Sequence, residues 1–418
     1  MGDFFRNRWW VVFASICGLL VGGGAVNIFA FGVFLKPVTE DLGIGRGALS
    51  SGLIMSTTLS GLGLIPLGYM LDRWGARQVM IPGIALFALG VASKSFLTAD
   101  PAVILTVFAV AGLFGCIGTP VPYGAVLSRW FDGRRGLAIG IATAGVGLGV
   151  ALVPQIAVFL IGHYGWRHGF VGLGITIFAL AWLPVALFVR EPRDRDLVRH
   201  QDAPRGIALA GVTVWQALRS WRFWALTGAF AIAIASINGT LTHMVAFLTD
   251  RGISVQAATA TLSASGVALL LGRVICGWCL DRFFGPLVAI GFFIVPMAGI
   301  GLLASGAGGL VPLAGAALCG LGVGAEVDLM AFFVSRYFGL HSYGKIYGTM
   351  FAVFSFANGI GSTIAGMSFD RYHAYGPAFM LFEGLLVLTC VLVAPLGAYP
   401  YPAMKRRRVS GGGQEVTA

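Results

Sequence analysis

Twelve stretches of about twenty residues carry almost no charge: 9–35, 48–71, 78–98, 102–127, 137–161, 169–189, 223–248, 257–280, 287–309, 311–334, 346–369 and 377–399. A helix rises 1.5 Å per residue, so each run is long enough to cross roughly 30 Å of hydrocarbon. In lipid every backbone N–H and C=O must find a partner within the protein, which restricts such a chain to membrane-spanning helices. Composition agrees: 57% of the residues are hydrophobic and 11% are charged, against roughly 25% charged in a soluble domain. A water-soluble enzyme is excluded, and an all-α membrane protein with twelve transmembrane helices is expected.

The chain also repeats itself. Ser128-Arg129-Trp130-Phe131 returns 207 residues later as Ser335-Arg336-Tyr337-Phe338, and Asp72-Arg73-Trp74-Gly75 returns at an offset of 209 as Asp281-Arg282-Phe283-Phe284-Gly285. A period near half of 418 residues points to two homologous, pseudo-symmetric bundles of six helices. The expected division is residues 1–189 for the first bundle, 190–222 for a linker, 223–399 for the second bundle and 400–418 for a polar, Gly-rich, disordered tail. Within the linker, Trp215-Gln216-Ala217-Leu218-Arg219-Ser220-Trp221-Arg222 reads as a basic, aromatic helix lying among lipid headgroups.

Charge sets the orientation. With the N-terminus inside, 21 of the 28 Lys and Arg fall on the cytoplasmic side, including Arg73, Arg77, Arg129, Arg134, Arg135, Arg282, Arg336 and the Lys405 to Arg408 cluster. Six fall on the other face (Lys36, Arg46, Lys94, Arg167, Arg251 and Arg371), and Arg273 lies inside a span. By the positive-inside rule both termini are cytoplasmic. The net charge of +11 is therefore a topology signal and no footprint of a nucleic-acid partner. The first apolar run, of about 27 residues, exceeds the 7 to 15 of a cleaved signal segment and is expected to stay in the mature protein. All six cysteines lie within spans, where the Cys276-x-x-Cys279 spacing is read as packing. Asn238-Gly239-Thr240 matches a glycosylation acceptor but is placed inside the seventh span.

Glycine, at 62 residues, is concentrated on matching helices: Gly140, Ala144, Gly145, Gly147 and Gly149 in the fifth span, Gly359, Gly361, Ala365 and Gly366 in the eleventh. Small residues at this spacing let helices approach closely and slide.

Gly68-Tyr-Met-Leu-Asp72-Arg73-Trp-Gly75-Ala-Arg77, between spans two and three, resembles the signature loop of the major facilitator superfamily, and a degenerate copy runs from Gly277 to Gly285. Within that superfamily the chain is most similar to the monocarboxylate transporters and the related oxalate/formate antiporters. The similarity rests on Arg8-Trp9-Trp10-Val11-Val12 leading to Phe31-Gly32-Val33-Phe34, and on Arg129-Trp-Phe-Asp-Gly-Arg134-Arg135-Gly136 leading to Ala144-Gly145. The resemblance implies the major facilitator fold, whose two parallel repeats are a standard example of this architecture. It also implies a secondary active transporter of a small organic monocarboxylate, working by alternating access in a bacterial inner membrane. With no nucleotide loop, catalytic triad or metal cluster in the sequence, no cofactor and no enzymatic activity are expected, and the most direct energy source is a proton gradient. The competing readings are an exporter or anion exchanger of amphipathic compounds, and a transporter-like sensor or membrane enzyme; the latter pair lacks a sizeable soluble domain or catalytic loop.

Site residues follow in three groups. Gly68, Asp72, Arg73, Gly75, Arg77, Arg134, Arg135, Asp281 and Arg282 form the expected conformational gate, in which Asp72 accepts from helix N-terminal amides and pairs with a nearby arginine. Arg273 is the expected substrate-carboxylate ligand. It lies eight residues, hence roughly 12 Å, before Asp281 on a face with Ser263, Gly266, Leu270 and Gly277, where a guanidinium needs water or a partner. In the monocarboxylate transporters a span-eight arginine preceding x-x-x-Gly binds the carboxylate, and Arg273-Val-Ile-Cys-Gly277 matches. The alternative for Arg273 is a static pair with Asp328. Where proton-coupled relatives carry an acid one turn before that arginine and a lysine in span one, this chain has Leu269 and Phe29, and its span eleven lacks the lysine of the oxalate exchangers. One cavity cation implies one carboxylate per substrate. Glu326 and Asp328, on opposite sides of span ten, are the proton-coupling candidates, and Glu383 is read as structural. Asn27, Tyr123 in the kinkable Thr119-Pro-Val-Pro-Tyr123, Asn238 and His243 complete the substrate-binding candidates.

Overall fold

The computed structural model describes residues 8–131, 135–190 and 211–401, and the side chains of Asp72 and Arg135 lie outside that description. The described residues are almost wholly helical. The spans are α1 (Trp9–Leu42), α2 (Arg46–Trp74), α3 (Ala76–Phe96), α4 (Pro101–Trp130), α7 (Trp221–Thr249), α8 (Val255–Arg282), α9 (Gly285–Ala304), α10 (Val311–Phe338), α11 (Tyr343–Tyr372) and α12 (Gly376–Leu396). A single stretch, Leu137–Phe188, holds the other two. Gly165 there has φ 74° and ψ 168°, a conformation closed to most L-residues, and divides the stretch into α5 (135–164) and α6 (166–188). Eleven continuous apolar stretches therefore supply twelve crossings among the described residues.

Several boundaries move from their expected places for local reasons. The first span runs on to Leu42, because Lys36 continues the helix and a left-handed Gly43 ends it. α9 stops at Ala304 rather than 309, where Gly306 and Gly309 take positive φ. The expected headgroup helix shrinks to Val214–Leu218, capped by a Thr213–Gln216 box. Ser220 is extended, so Trp221 and Arg222 belong to α7. The expected tail of 400–418 lies almost entirely outside the described residues.

One face gathers the linker and the ends of α4 and α10: Gly211 bridges Gly339, Trp130 Nε1 donates to Arg190 O (3.0 Å), and Tyr401 N donates to Arg336 O (3.1 Å). We call this the linker face and its opposite the distal face. α1 crosses between them with a π-helical segment at Gly24–Phe29. Beside it Gly22 and Gly23 lie against the backbone of Gly118 and Gly115 in α4, a contact that only glycine permits.

The two glycine stripes each serve two partners. In α5, Gly145 and Gly149 abut the α1 backbone at Ile16 and Leu20, while Gly147 meets Gly266 and Leu270 of α8. In α11, Gly361 abuts Ala235 of α7, while Gly359 and Gly366 meet Ile54 and Gly47 of α2. Each stripe thus packs within its own bundle and across to the other. Among the described glycines the cross-bundle contacts run from the distal side to mid-helix, where Gly61 meets Ser355 and Ala352; toward the linker face Gly68, Gly140, Gly277, Gly344 and Gly348 have open space where a side chain would project. The bundles are shut distally and part toward the linker.

Two glycines of α11 separate these effects. Gly361→Val should overpack the α7 contact and lower stability by about 1–3 kcal/mol. Gly348→Ala, in open space on the same helix, should be neutral or stabilising by up to about 1 kcal/mol. Thermal unfolding of the purified variants checks both directions.

Candidate functional site

The distal closure is an ionic latch between bundles. Arg46 opens α2, and its guanidinium is buried, with 8% of the side chain exposed. Nη1 donates to Asp250 Oδ2 (2.5 Å) and to the Tyr375 hydroxyl (2.6 Å), Nη2 donates to Asp250 Oδ1 (3.1 Å), and the group lies 3.6 Å from the Phe369 ring centroid. Lys36 adds a third bond to Asp250, at 3.0 Å. Arg46 and Lys36 come from the first bundle, and Asp250, Tyr375 and Phe369 from the second. Asp370 of α11 accepts from the backbone N–H of Arg46 (2.7 Å) and Gly47 (2.8 Å), so α2 receives its N-terminal cap from the opposite bundle. Burial alone would raise the Asp250 carboxyl, but the Arg46 and Lys36 contacts outweigh it and hold Asp250 below its ordinary value.

Toward the linker face the α8 surface carries the second feature. Ser263 Oγ donates to Ala151 O (2.6 Å) and accepts from Gln155 Nε2 (3.1 Å), which fixes α8 to α5. Gly266 and Leu270 continue that contact, and Arg273 comes next, where the bundles part. Its Nη1 lies 3.9 Å from Asp328 Oδ1, beyond hydrogen-bond range, and its Nε is buried without a partner. The Arg273 side chain is 19% exposed and that of Asp328 39%. This guanidinium has donors to spare. Tyr347 of α11 lies within electrostatic reach of both residues. It belongs to a stacked ladder, Tyr343, Tyr347, Phe351 and Phe354, with centroids 6.0, 5.9 and 5.6 Å apart. No charge or polar motif marks this ladder in the sequence, although its spacing of four, four and three puts it on one helix face.

The other expected residues do not gather around Arg273. Asn27 is buried in the first bundle, where its amide donates to Ala111 O (3.2 Å) and accepts from Lys94 Nζ (2.9 Å). Lys94, counted above among charges of the outer face, is 1% exposed and lies 4.4 Å from the Phe108 ring centroid, because α3 continues past it to Phe96. Tyr123 is wedged against Gly18 of α1 with its hydroxyl unpartnered. Asn238 is buried in α7 with a bare Oδ1. His243 belongs to the latch, touching Ser50, Ser362 and Tyr375. Glu326 is 1% exposed and neither carboxyl oxygen has a partner. Glu383 sits against Gly301 in a peripheral groove of α9 and α12 with Met297, Met380 and Val387.

Of the expected gate, Arg134 and the side chains of Asp72 and Arg135 lie outside the described residues. Arg73 donates to Tyr69 of its own helix (2.7 Å), and Arg77 caps the end of α6 at Ala186 O (2.8 Å) and Val189 O (3.3 Å). Arg282 lies over Trp278, 4.1 Å from the ring centroid, and Asp281 is exposed. These contacts stay within one bundle; among the described residues the cross-bundle ion pairs are distal.

Removing Asp250 would leave Arg46 and Lys36 without their shared carboxylate, a loss on the order of 3–5 kcal/mol for the buried Arg46 pair. A cysteine placed at Ile54, beneath Gly359, should resist a membrane-impermeant thiol reagent applied distally and become reactive when Asp250→Ala is added. Labelling that does not change would contradict the latch.

The comparisons with known proteins agree with this architecture. An uncharacterized transporter of Bacillus subtilis (strain 168), YcxA, is 24% identical over 418 residues, covering 94% of each chain. Monocarboxylate transporter 4 of Gallus gallus is 25% identical over 403 residues, covering 94% of this chain and 82% of its own. Among solved structures, the nucleoside transporter NupG superposes with a TM-score of 0.71 at 14% identity over 92% of this chain and 98% of its own. The model of the Major Facilitator Superfamily matches residues 14–366. A twelve-helix chain with duplicated bundles, matched over that length, belongs to the major facilitator superfamily of membrane transporters.

Proposed function

We propose that this transporter carries a small organic monocarboxylate, together with a proton, by alternating access, with the linker and both termini in the cytoplasm of a bacterial cell. The observation that carries the substrate class is Arg273. A membrane-embedded guanidinium with a bare Nε and only a long contact to Asp328 lacks the hydrogen bonds that would make it a structural pair. A carboxylate arriving from the linker side would take both faces of the fork bidentately and satisfy those donors. The relative named monocarboxylate transporter 4 supports the same class. One guanidinium suits one carboxylate.

The proton belongs, in this reading, to span ten. Asp328 faces Arg273 and competes with the substrate for it, so protonating Asp328 frees the guanidinium. Glu326 is buried with no partner for either oxygen, and a proton there removes the cost of burying a bare carboxylate. Of the signature-loop residues, Arg73, Arg77, Asp281 and Arg282 lie toward the linker face, where the bundles are apart. They would engage when the distal face opens and the linker face closes. Tyr123, Asn27 and Asn238 would act by shaping the helices around the path, since all three are buried in this state.

Uptake of a panel of radiolabelled carboxylates into proteoliposomes should show accumulation of a monocarboxylate driven by an inward proton gradient. Accumulation of uncharged amphipathic compounds, with no carboxylate transported, would overturn the assignment. Arg273→Lys should keep the charge, lose the fork and weaken binding by about 1–3 kcal/mol in detergent-solubilised, monodisperse protein. Normal binding by the pair Arg273→Gln with Asp328→Asn would instead identify a static ion pair. For orientation, reporter fusions after Arg205 and after Lys405 should both read cytoplasmic, and an external reading at either would reverse it.

A further inference from the structure

The latch contains one group that its ion pairs do not need. His243 is fully buried in α7, where α2, α11 and the turn before α12 meet. Its Nε2 lies 2.8 Å from the Ser362 carbonyl oxygen, which can only accept, so Nε2 carries the hydrogen. Ser50 Oγ of the other bundle and Ser362 Oγ lie 3.2 and 3.3 Å from the same nitrogen. Nδ1 is therefore the lone-pair nitrogen, and it faces the Tyr375 hydroxyl at 3.2 Å. The Tyr375 oxygen already accepts from Arg46 Nη1, which leaves its hydrogen to donate to Nδ1. The bonds run in one direction, from Arg46 to Tyr375 to His243 to Ser362. That order requires a neutral imidazole. Burial pushes the Tyr375 phenol up, so the hydroxyl keeps its hydrogen.

The charged groups around this chain are balanced. Lys36 of α1 and Arg46 of α2 face Asp250 at the end of α7 and Asp370 of α11; Tyr375 is bonded to Arg46, and His373 packs edge-on against the Phe369 ring that Arg46 lies on. We propose that His243 is a proton-binding site that releases the distal latch: a proton on Nδ1 turns an acceptor into a donor facing an oxygen already occupied by Arg46. The Tyr375 hydroxyl must then turn away, and a third positive charge joins two cations held by two carboxylates. The strained chain is relieved when α2 moves off α7 and α11. Asp250 does not share this role, because a carboxyl held below its ordinary value stays ionised above that range and loses its contribution only as pH falls through the lowered value. The release is therefore assigned to the imidazole and not to this carboxylate. It rests on the alternating-access reading and on no particular substrate. A more acidic distal side would open the protein toward that side, the order that uphill uptake driven by protons requires.

The test reads conformation without substrate. Spin labels on Glu40→Cys and Ser305→Cys, exposed distal positions of the two bundles, are placed in a variant freed of the six native cysteines and reconstituted in nanodiscs. Distances are measured from about pH 8 to about pH 5.5, which brackets the imidazole range. The short distance of the latched state should give way to a longer one as pH falls, and His243→Asn, which cannot take the proton, should stay short throughout. A parent protein whose distances ignore pH would overturn the proposal, and so would a His243→Asn variant with an unchanged response, since another group, His373 or a carboxylate, would then be the sensor. If that variant is not monodisperse, Tyr375→Phe removes the donor to Nδ1 and should move the midpoint to higher pH; an unmoved midpoint counts against the proposal. Failure here leaves the carboxylate assignment of Arg273 standing, and failure of that assignment leaves this result standing.

Discussion

Everything distal in this structure depends on burying one guanidinium. Arg46 is taken out of water at the start of α2 and would destabilise the closed state heavily if left unpaired. It is instead met by Asp250, Tyr375 and the face of Phe369, all from the opposite bundle. Because its own backbone N–H and that of Gly47 are capped by Asp370, the helix end and its side chain are satisfied only when the bundles touch. The glycines of α5 and α11 make that touch possible by letting backbones meet. The same glycines lie on helices that also pack inside their own bundle, so each stripe ties its bundle together as well as to the other.

A second arginine shows the opposite economy. Arg273 is also largely withdrawn from water, yet it keeps a bare Nε and a contact too long to be a hydrogen bond. Arg46 has its donors committed by the fold, and Arg273 has donors left for something the fold does not supply. The placement of the two is equally distinct, one in the sealed distal contact and the other where the bundles separate. The duplication accounts for neither arginine: Arg46, Asp370, Arg273 and Asp328 have no counterparts at the repeat offsets, and of these groups only Asp250 has one, Asp41, 209 residues earlier. Repetition preserved the packing of the helices, and both arginines sit on unrepeated positions.

The sequence disclosed the fold well because hydrocarbon leaves few alternatives. Apolar length, the two motif copies and the glycine stripes led to twelve helices in two bundles, with errors confined to ends such as Leu42 and Ala304, where a helix outruns or falls short of its apolar stretch. The face shared by Ser263, Gly266, Leu270 and Arg273 was also legible, since periodicity fixes it. What escaped was pairing at a distance. Arg46 and Lys36 read as ordinary charges of an outer loop, because their partners lie more than two hundred residues away. Lys94 looked the same and is buried against Asn27 and Phe108. His243 and Asn27 were visible as polar residues in apolar runs, but only three-dimensional contacts show that one serves the latch and the other the interior of the first bundle.

The account turns on whether Arg273 receives the substrate's carboxylate. The most direct measurement is dipolar recoupling by solid-state NMR between 15N-labelled arginine side chains and a transported acid carrying 13C at its carboxylate. A close coupling to guanidinium nitrogens that disappears in Arg273→Lys is the predicted result. A bound acid with no such coupling, or a coupling that survives the substitution, would contradict it.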